Sequence, residues 1–444
     1  MLNFKQIKPM LKRDSYSQSK SYQHLTPVVV VLVVAIAGTL LLIGSHAASP
    51  FVSLNAGNGT VAGPAAKQTC AGASSGSCVR FGQALPMDGN VALALSAPGT
   101  PFAASSFWNT LLPASTPVNP NNAAYLNAIA YNLCGGPTVT SAPPPTPCPT
   151  PNYNGALNTS AWSAPLYVVP AGQPTVNVAA ECNGTNTAFA AARANVPVPA
   201  DAHGSGETAV PDTDTDKEIQ IYQPSTDKYW DFWNFQKDGS GNWEACWGGT
   251  ITGVSQSDGL FASHTGAMAT SLPLIGATPR IEELRAGTIN HVIGLTIGDV
   301  ASGDLKSTVI PANTPGATSG VSWPASRGDG GSTDPLAIPE GLRFRLNPSL
   351  DVNTLNLSPV AKVIAVAAQK YGFVVDDSCG QPCVPIRLGD PTAYTSAGLP
   401  NPYTSGPGVS GVGNSGLYGG VSGSQIMKNF PWNQLQALPF NYGE

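Results

Sequence analysis

At 444 residues the chain has room for two or three domains, or for one large domain with additions. Only 11% of residues are charged, 48 are Gly and 41 are Pro, yet 42% are hydrophobic; this composition excludes wholesale disorder and predicts many turns joined by short strands, with few long helices. The formal net charge is −5, and beyond residue 26 it is −9 with no basic patch interleaved with aromatics, which excludes nucleic acid as a partner.

Residues 1–26 carry Lys5, Lys8, Lys12, Arg13 and Lys20 against Asp14 alone. An uncharged apolar run follows at 27–44, about 27 Å long as a helix and so close to the thickness of a bilayer core. Basic residues ahead of such a run hold the N-terminus inside and send the bulk outside. The expectation is a cytoplasmic basic tail (1–26) and a transmembrane segment (27–47). That segment is either a retained anchor or a signal peptide cut after Ala47, where the small residues of "SHAA" would be read. The protein is then membrane-anchored with an extracellular bulk, or secreted.

The cysteines agree with export. Cys70, Cys78, Cys134, Cys148, Cys182, Cys246, Cys379 and Cys383 all lie beyond the apolar run, and an even count in an exported chain reads as disulfides. Local spacing favours Cys70–Cys78, Cys134–Cys148 and Cys379–Cys383, leaving Cys182 with Cys246. "CGQPC" has zinc-like spacing, but no second Cys pair or His lies near it, so zinc is not expected.

Residues 48–96 read as a β-hairpin and linker region, and 97–444 as one domain. A short helix is expected within 107–133, followed by a Pro-rich loop at 140–154. From residue 160 short strands recur, among them "KEIQIYQ", "KYWDFWNF", "NWEACWGG", "INHVIGLTI" and "GLRFRLN". Two helices are marked by caps. In "TPRIEELRAG", Thr278 is the N-cap, Pro279 the first helical residue and Gly287 the stop; in "SPVAKVIAVAAQKYG", Ser358, Pro359 and Gly372 take those roles. The fold class expected is mainly β: an antiparallel β-sandwich or jelly roll with a few short helices, preceded by one transmembrane helix. A β-propeller is the alternative, but no propeller-length repeat is present.

The candidate site follows from strand register. If "PSTD" and "DGSG" are four-residue turns, Tyr222 faces Tyr229, Gln220 faces Asp231, Glu218 faces Trp233, and Phe235 faces Glu244. Alternation then puts Ile219, Ile221, Trp230 and Phe232 on a core face. Glu218, Gln220, Tyr222, Tyr229, Asp231, Trp233, Phe235, Glu244 and Cys246 share the other. Flat rings that stack on pyranose faces, beside carboxylates that accept hydroxyl hydrogen bonds, suit a sugar-binding groove; the plain alternative is a half-wet outer sheet. In a hydrolase Asp231 and Glu244 would be the acid and the base or nucleophile. In a lyase His264 would act with a Tyr such as Tyr229.

Other polar groups carry less. No cofactor is expected; a calcium ion near Asp212, Asp214 and Asp216 is the one alternative to a plain solvated acidic loop. An EF-hand is excluded because its sixth-position Gly and twelfth-position Glu are missing. His291 reads as a satisfied core histidine, His203 and Glu207 as loop residues, Asp376 and Asp377 as a strand end, and "RGD" (327–329) as a chance tripeptide.

Two resemblances add to this reading. "FVSLNAGNGTVAGPAAKQTCAGASSGSCVRFG" (51–82) resembles the opening strands of β-sandwich carbohydrate-binding modules, without the acidic residue usual near their start and far short of a whole module. "SSFWNTLLPASTPVNPNNAA", "KEIQIYQPSTDKYWDFW", "ATSLPLIGATPRIEELRAGTINHVIGLTI", "WPASRGDG", "IPEGLRFRLNPSLDV" and "AQKYGFVVDD" occur in that order over about 100–440. Together they resemble a family of exported bacterial β-sandwich-type proteins. That resemblance implies export and one long domain; it brings no assigned reaction and transfers no catalytic residue. The function expected is a surface or secreted protein that binds polysaccharide or cell-envelope glycan. The alternatives are a glycoside hydrolase or polysaccharide lyase using the same groove, or a structural envelope protein.

Overall fold

The structure, a computed structural model, describes residues 65–69, 77–81, 99–134, 155–182, 185–206, 216–302, 320–334, 336–379, 382–396 and 398–444. The expected membrane segment, Cys70, Cys148, Asp212 and Asp214 lie outside these residues. Among those described, no helix is long and apolar enough to cross a membrane. The chain divides into two compact units, Met1–Gln83 and Ala84–Glu444. In the first, strands β1 (Ala65–Thr69) and β2 (Ser77–Phe81) pair antiparallel as a hairpin.

The second unit runs α1 (Asn122–Cys134), β3 (Gly155–Asn158), β4 (Leu166–Val168), β5 (Ala179–Ala180), α2 (Thr187–Ala192), β6 (Ile219–Gln223), β7 (Lys228–Trp233), β8 (Gln236–Lys237), β9 (Trp243–Ala245) and β10 (Trp247–Thr252). Then come α3 (Leu274–Ala277), α4 (Ile281–Ala286), β11 (Ile293–Ile297), β12 (Arg343–Leu346), α5 (Pro359–Lys370), β13 (Phe373–Ser378), β14 (Val384–Arg387), α6 (Thr392–Thr395), α7 (Gly423–Ile426) and β15 (Leu435–Ala437). Two four-stranded sheets, β10-β7-β6-β4 and β11-β13-β12-β15, are accompanied by the smaller sheets β14-β3 and β5-β9-β8.

The unit is sheet-rich with few helices, as expected, but its sheets are mixed rather than antiparallel. β4 runs parallel to β6, β5 to β9, β3 to β14 and β11 to β13, and no sheet closes. Parallel partners need long crossovers. Here many of these are irregular Gly- and Pro-rich segments, which carry no period to announce them.

The α5 caps follow from their residues. Ser358 Oγ accepts from the Ala361 amide at 3.2 Å, Pro359 opens the helix, and Gly372 takes the left-handed conformation just past it. Val360, Ile364 and Ala368 of α5 bury in one cluster with Leu295, Phe344 and Phe373 of the second large sheet. α4 starts later than its sequence suggests. Thr278 closes α3, and the Arg280 amide donates to Glu283 Oε2 at 3.0 Å at the new start; Gly287 ends the helix as expected. His291 is fully buried and satisfied, with Nδ1 2.7 Å from Val292 O and Nε2 3.1 Å from Glu283 Oε2.

The β6–β7 hairpin has the register expected of it: Gln220 faces Asp231, Tyr222 faces Tyr229 and Gln223 faces Lys228. The next turn is one residue longer than expected. Asp238 bonds across to Asn242, so Gln236, not Phe235, faces Glu244. The chain also kinks at Asn234, whose φ is +53°, and β8 and β9 leave for another sheet. β7 pairs instead with β10, which sets Trp233 opposite Trp247.

Candidate functional site

The expected open face is covered. Segment 261–277 lies over it and brings Phe261, Leu272, Leu274 and Ile275 against Tyr222, Tyr229 and Ile251. The opposite face packs Ile219, Ile221, Trp230, Phe232 and Phe235 with Val178 and Phe189. Both faces of the hairpin are therefore core, and Gln220, Tyr222, Tyr229, Asp231 and Phe235 are all buried. The sequence pattern could not reveal this cover, because the covering segment is itself short on periodicity.

The three expected catalytic residues stand in three different settings. Asp231 is wholly buried: Oδ1 accepts from the Ala267 amide at 2.9 Å, and Oδ2 from the Leu274 amide at 3.3 Å and the Tyr229 hydroxyl at 3.1 Å. Burial pushes its pKa up to about 7, against the pull of those donors and of Arg327. Glu244 sits in the small β5-β9-β8 sheet and accepts from Gln236 Nε2 at 3.3 Å. His264 is exposed at the end of a single 3-10 turn. Cys246 is bonded to Cys182, and Cys379 to Cys383, as spacing favoured; Cys134 is also disulfide-bonded.

The carboxylates that do converge come from elsewhere. Two adjoining hollows share Asp216, Asp377 and Ser378. One, of about 390 Å³, is lined by Glu218, Trp233, Trp247, Arg327, Gly328 and Asp329 as well. The other, of about 340 Å³, adds Asn158, Trp162, Thr296 and Arg387. Trp162 and Trp233, one in each lobe, are 45% and 37% exposed, and Trp233 Nε1 donates to Asp216 Oδ1 at 3.4 Å. The result is an acidic trough with an indole on each side of its middle.

Local structure fixes each group. Glu218 just precedes β6, and its amide donates to Ser205 Oγ at 3.0 Å while its carbonyl accepts from the Ser205 amide at 2.9 Å. Asp376 and Asp377 are consecutive on β13. Asp376 turns inward to Thr296 Oγ1 at 3.2 Å and Arg387 Nη1 at 3.3 Å, and Asp377 meets Arg387 Nη2. Asp376 fits because β11 offers Gly294 there: a Cβ would meet Asp376 Oδ2 at 2.2 Å. Arg327 stacks over Trp247, with its guanidinium carbon 5.4 Å from the ring centroid, and donates to Ser271 Oγ and to the carbonyls of Gly266 and Met268.

The trough is electrostatically unbalanced. Asp216, Glu218, Asp329 and Asp377 line it, with the buried Glu340 and Asp376 close by, against the cations Arg327 and Arg387. Burial is the main reason that the Glu218 carboxyl lies well above the usual range; Arg387 pulls it down, while Asp216, Asp377 and Asp231 push it further up. Burial and then Asp329 and Asp377 do the same to Glu340. Burial lifts Asp376 to about 6. Glu218 is 2% exposed and its Oε2 has no hydrogen-bond partner.

Of the residues singled out from sequence, Asp216, Glu218 and Trp233 line this trough. Asp329, Asp377, Arg327, Arg387 and Trp162 were not singled out as its lining, nor Glu340 behind it. "RGD" and the strand-end pair Asp376 and Asp377 were the only signals for them. No family model, curated protein or solved structure matches the chain.

Proposed function

We propose that this chain is an exported surface protein that binds polysaccharide in the acidic trough flanked by Trp162 and Trp233. The observation that carries the reading is the pair of half-exposed indoles set one in each lobe around a row of carboxylates. Indoles stack on the apolar faces of pyranose rings, and carboxylates accept their hydroxyl hydrogen bonds; a cleft with apolar walls and a few fixed polar groups is what small-ligand sites need. Export is supported by the basic tail and apolar run of residues 1–47 and by cysteines bonded in pairs beyond it. A glycan array probed with the chain tests the reading. Binding that survives both Trp162→Ala and Trp233→Ala unchanged sinks it.

One observation favours a second reading, cleavage of the bound glycan. Glu218 is buried at the trough wall with a free oxygen and a carboxyl held toward its protonated form, the condition of a general acid. It would protonate the leaving glycosidic oxygen while a carboxylate across the trough, Asp377 or Asp329, takes a proton from the attacking water. Product analysis on any array hit decides. Glu218→Gln should abolish cleavage by more than a hundredfold and leave binding in place.

A further inference from the structure

We propose that Asp329, Glu340 and Asp377 form a calcium site in the wall of the trough. One carboxylate oxygen from each lies within 4.8 Å of the others. Two oxygens on opposite sides of a calcium ion, each at about 2.3–2.6 Å, stand roughly 5 Å apart, so the three can share one ion.

The second observation is Glu340 itself. It is 0% exposed, its Oε2 accepts from the Asp329 amide at 2.9 Å, and its Oε1 is buried with no hydrogen-bond partner. A buried carboxylate oxygen left unpaired is costly and is relieved by a proton, as in a carboxyl–carboxylate pair with Asp329, or by a cation. The backbone amides of Asp329 and Gly330 favour its charged form but do not neutralise it. Neither nearby arginine forms an ion pair with Glu340. Arg327 serves Ser271, Gly266 and Met268, and Arg387 pairs with Asp376 and Asp377. Among the described residues, no Lys or Arg forms an ion pair with Asp329 or Glu340.

The loop is shaped to this contact. At Gly328 a Cβ would meet Glu340 Oε2 at 2.0 Å, so a side chain there would push the 327–329 backbone off the carboxylate. Three carboxylates without His or Cys suit a hard cation. Glu340 closes the back, while Asp329 is exposed and Asp377 half-buried on the trough side, which leaves coordination positions for water or a sugar hydroxyl. Calcium is the fit among hard cations because it accepts an irregular oxygen set and keeps flexible geometry, where magnesium demands a tight octahedron. The acidic run at 212–218, where the sequence pattern alone pointed, is not this site.

The site stands whether or not the trough takes a sugar, so the test uses CaCl2 alone. The full chain, stripped with chelator, is titrated calorimetrically. One saturable site is expected, weakened at least tenfold in Asp329→Asn and in Glu340→Gln. Asp329 is exposed, so its variant keeps the fold, which a melt in chelator checks. No saturable uptake by the wild type overturns the assignment. So does binding unchanged in Asp329→Asn, binding lost in Asp214→Asn instead, or MgCl2 held more tightly than CaCl2.

Discussion

Asp231 and Glu340 are both buried carboxylates, yet they belong to opposite kinds of region. Asp231 lies between β7 and the covering segment 261–277, with two backbone amides and one hydroxyl donating to it. Glu340 lies behind the trough with one oxygen satisfied and the other orphaned. A carboxylate with donors on both oxygens is tied into the fold. One with an oxygen left over, beside others of its kind, has room for a proton or a cation. Charge and burial alone do not distinguish the two; partners do.

That contrast can be broken in four ways, in order of expected effect. Asp231→Ala strands the Ala267 and Leu274 amides and the Tyr229 hydroxyl, and should lose at least about 3 kcal/mol of stability in urea unfolding at pH 8. A loss below about 1 kcal/mol would make Asp231 no keystone. The pH dependence comes next. Folded Asp231 binds its proton up to about pH 7, against 3.8 for an ordinary Asp, and Asp376 up to about 6, so the folded chain holds more protons in that window. Stability must then fall as pH rises through it; the midpoint of thermal unfolding should drop several degrees from pH 5 to pH 8, less so in Asp231→Asn.

Glu340→Gln should do the reverse of Asp231→Ala. In chelator it relieves the orphan oxygen and the repulsion from Asp329 and Asp377, and should raise stability by about 0.5–1 kcal/mol. A large loss in the same melt would place Glu340 with Asp231 as a structural group. Last, Glu244→Gln should change neither stability beyond about 0.5 kcal/mol nor glycan binding, since Glu244 belongs to a separate small sheet away from the trough lining.

The sequence was readable where the physics is local. The "PSTD" turn set the β6–β7 register correctly, because Pro224 opens a tight 3-10 turn and Asp227 closes it in the left-handed conformation. Ser358 and Pro359 marked α5 for equally local reasons. The next hairpin slipped by one because Asn242 belongs to the turn, and a slip of one exchanges faces. The site was not readable because its parts are distant: Glu218 before β6, Arg327 and Asp329 in an irregular loop, Glu340 before β12, Asp377 on β13 and Arg387 on β14. Nothing in "RGD" announces that Gly328 lets Asp329 reach Glu340. The cover over Asp231 was equally hidden, since Phe261, Leu272, Leu274 and Ile275 follow no strand or helix period.

The claim that the trough is the ligand site is tested most directly by glycan binding of the wild type beside Trp233→Ala. Trp233 is 37% exposed at the trough edge, so its removal should leave the fold and the melting temperature nearly unchanged. At least a tenfold loss of affinity is expected for whichever glycan the wild type retains. Undiminished binding by a folded Trp233→Ala variant would show that the glycan binds elsewhere.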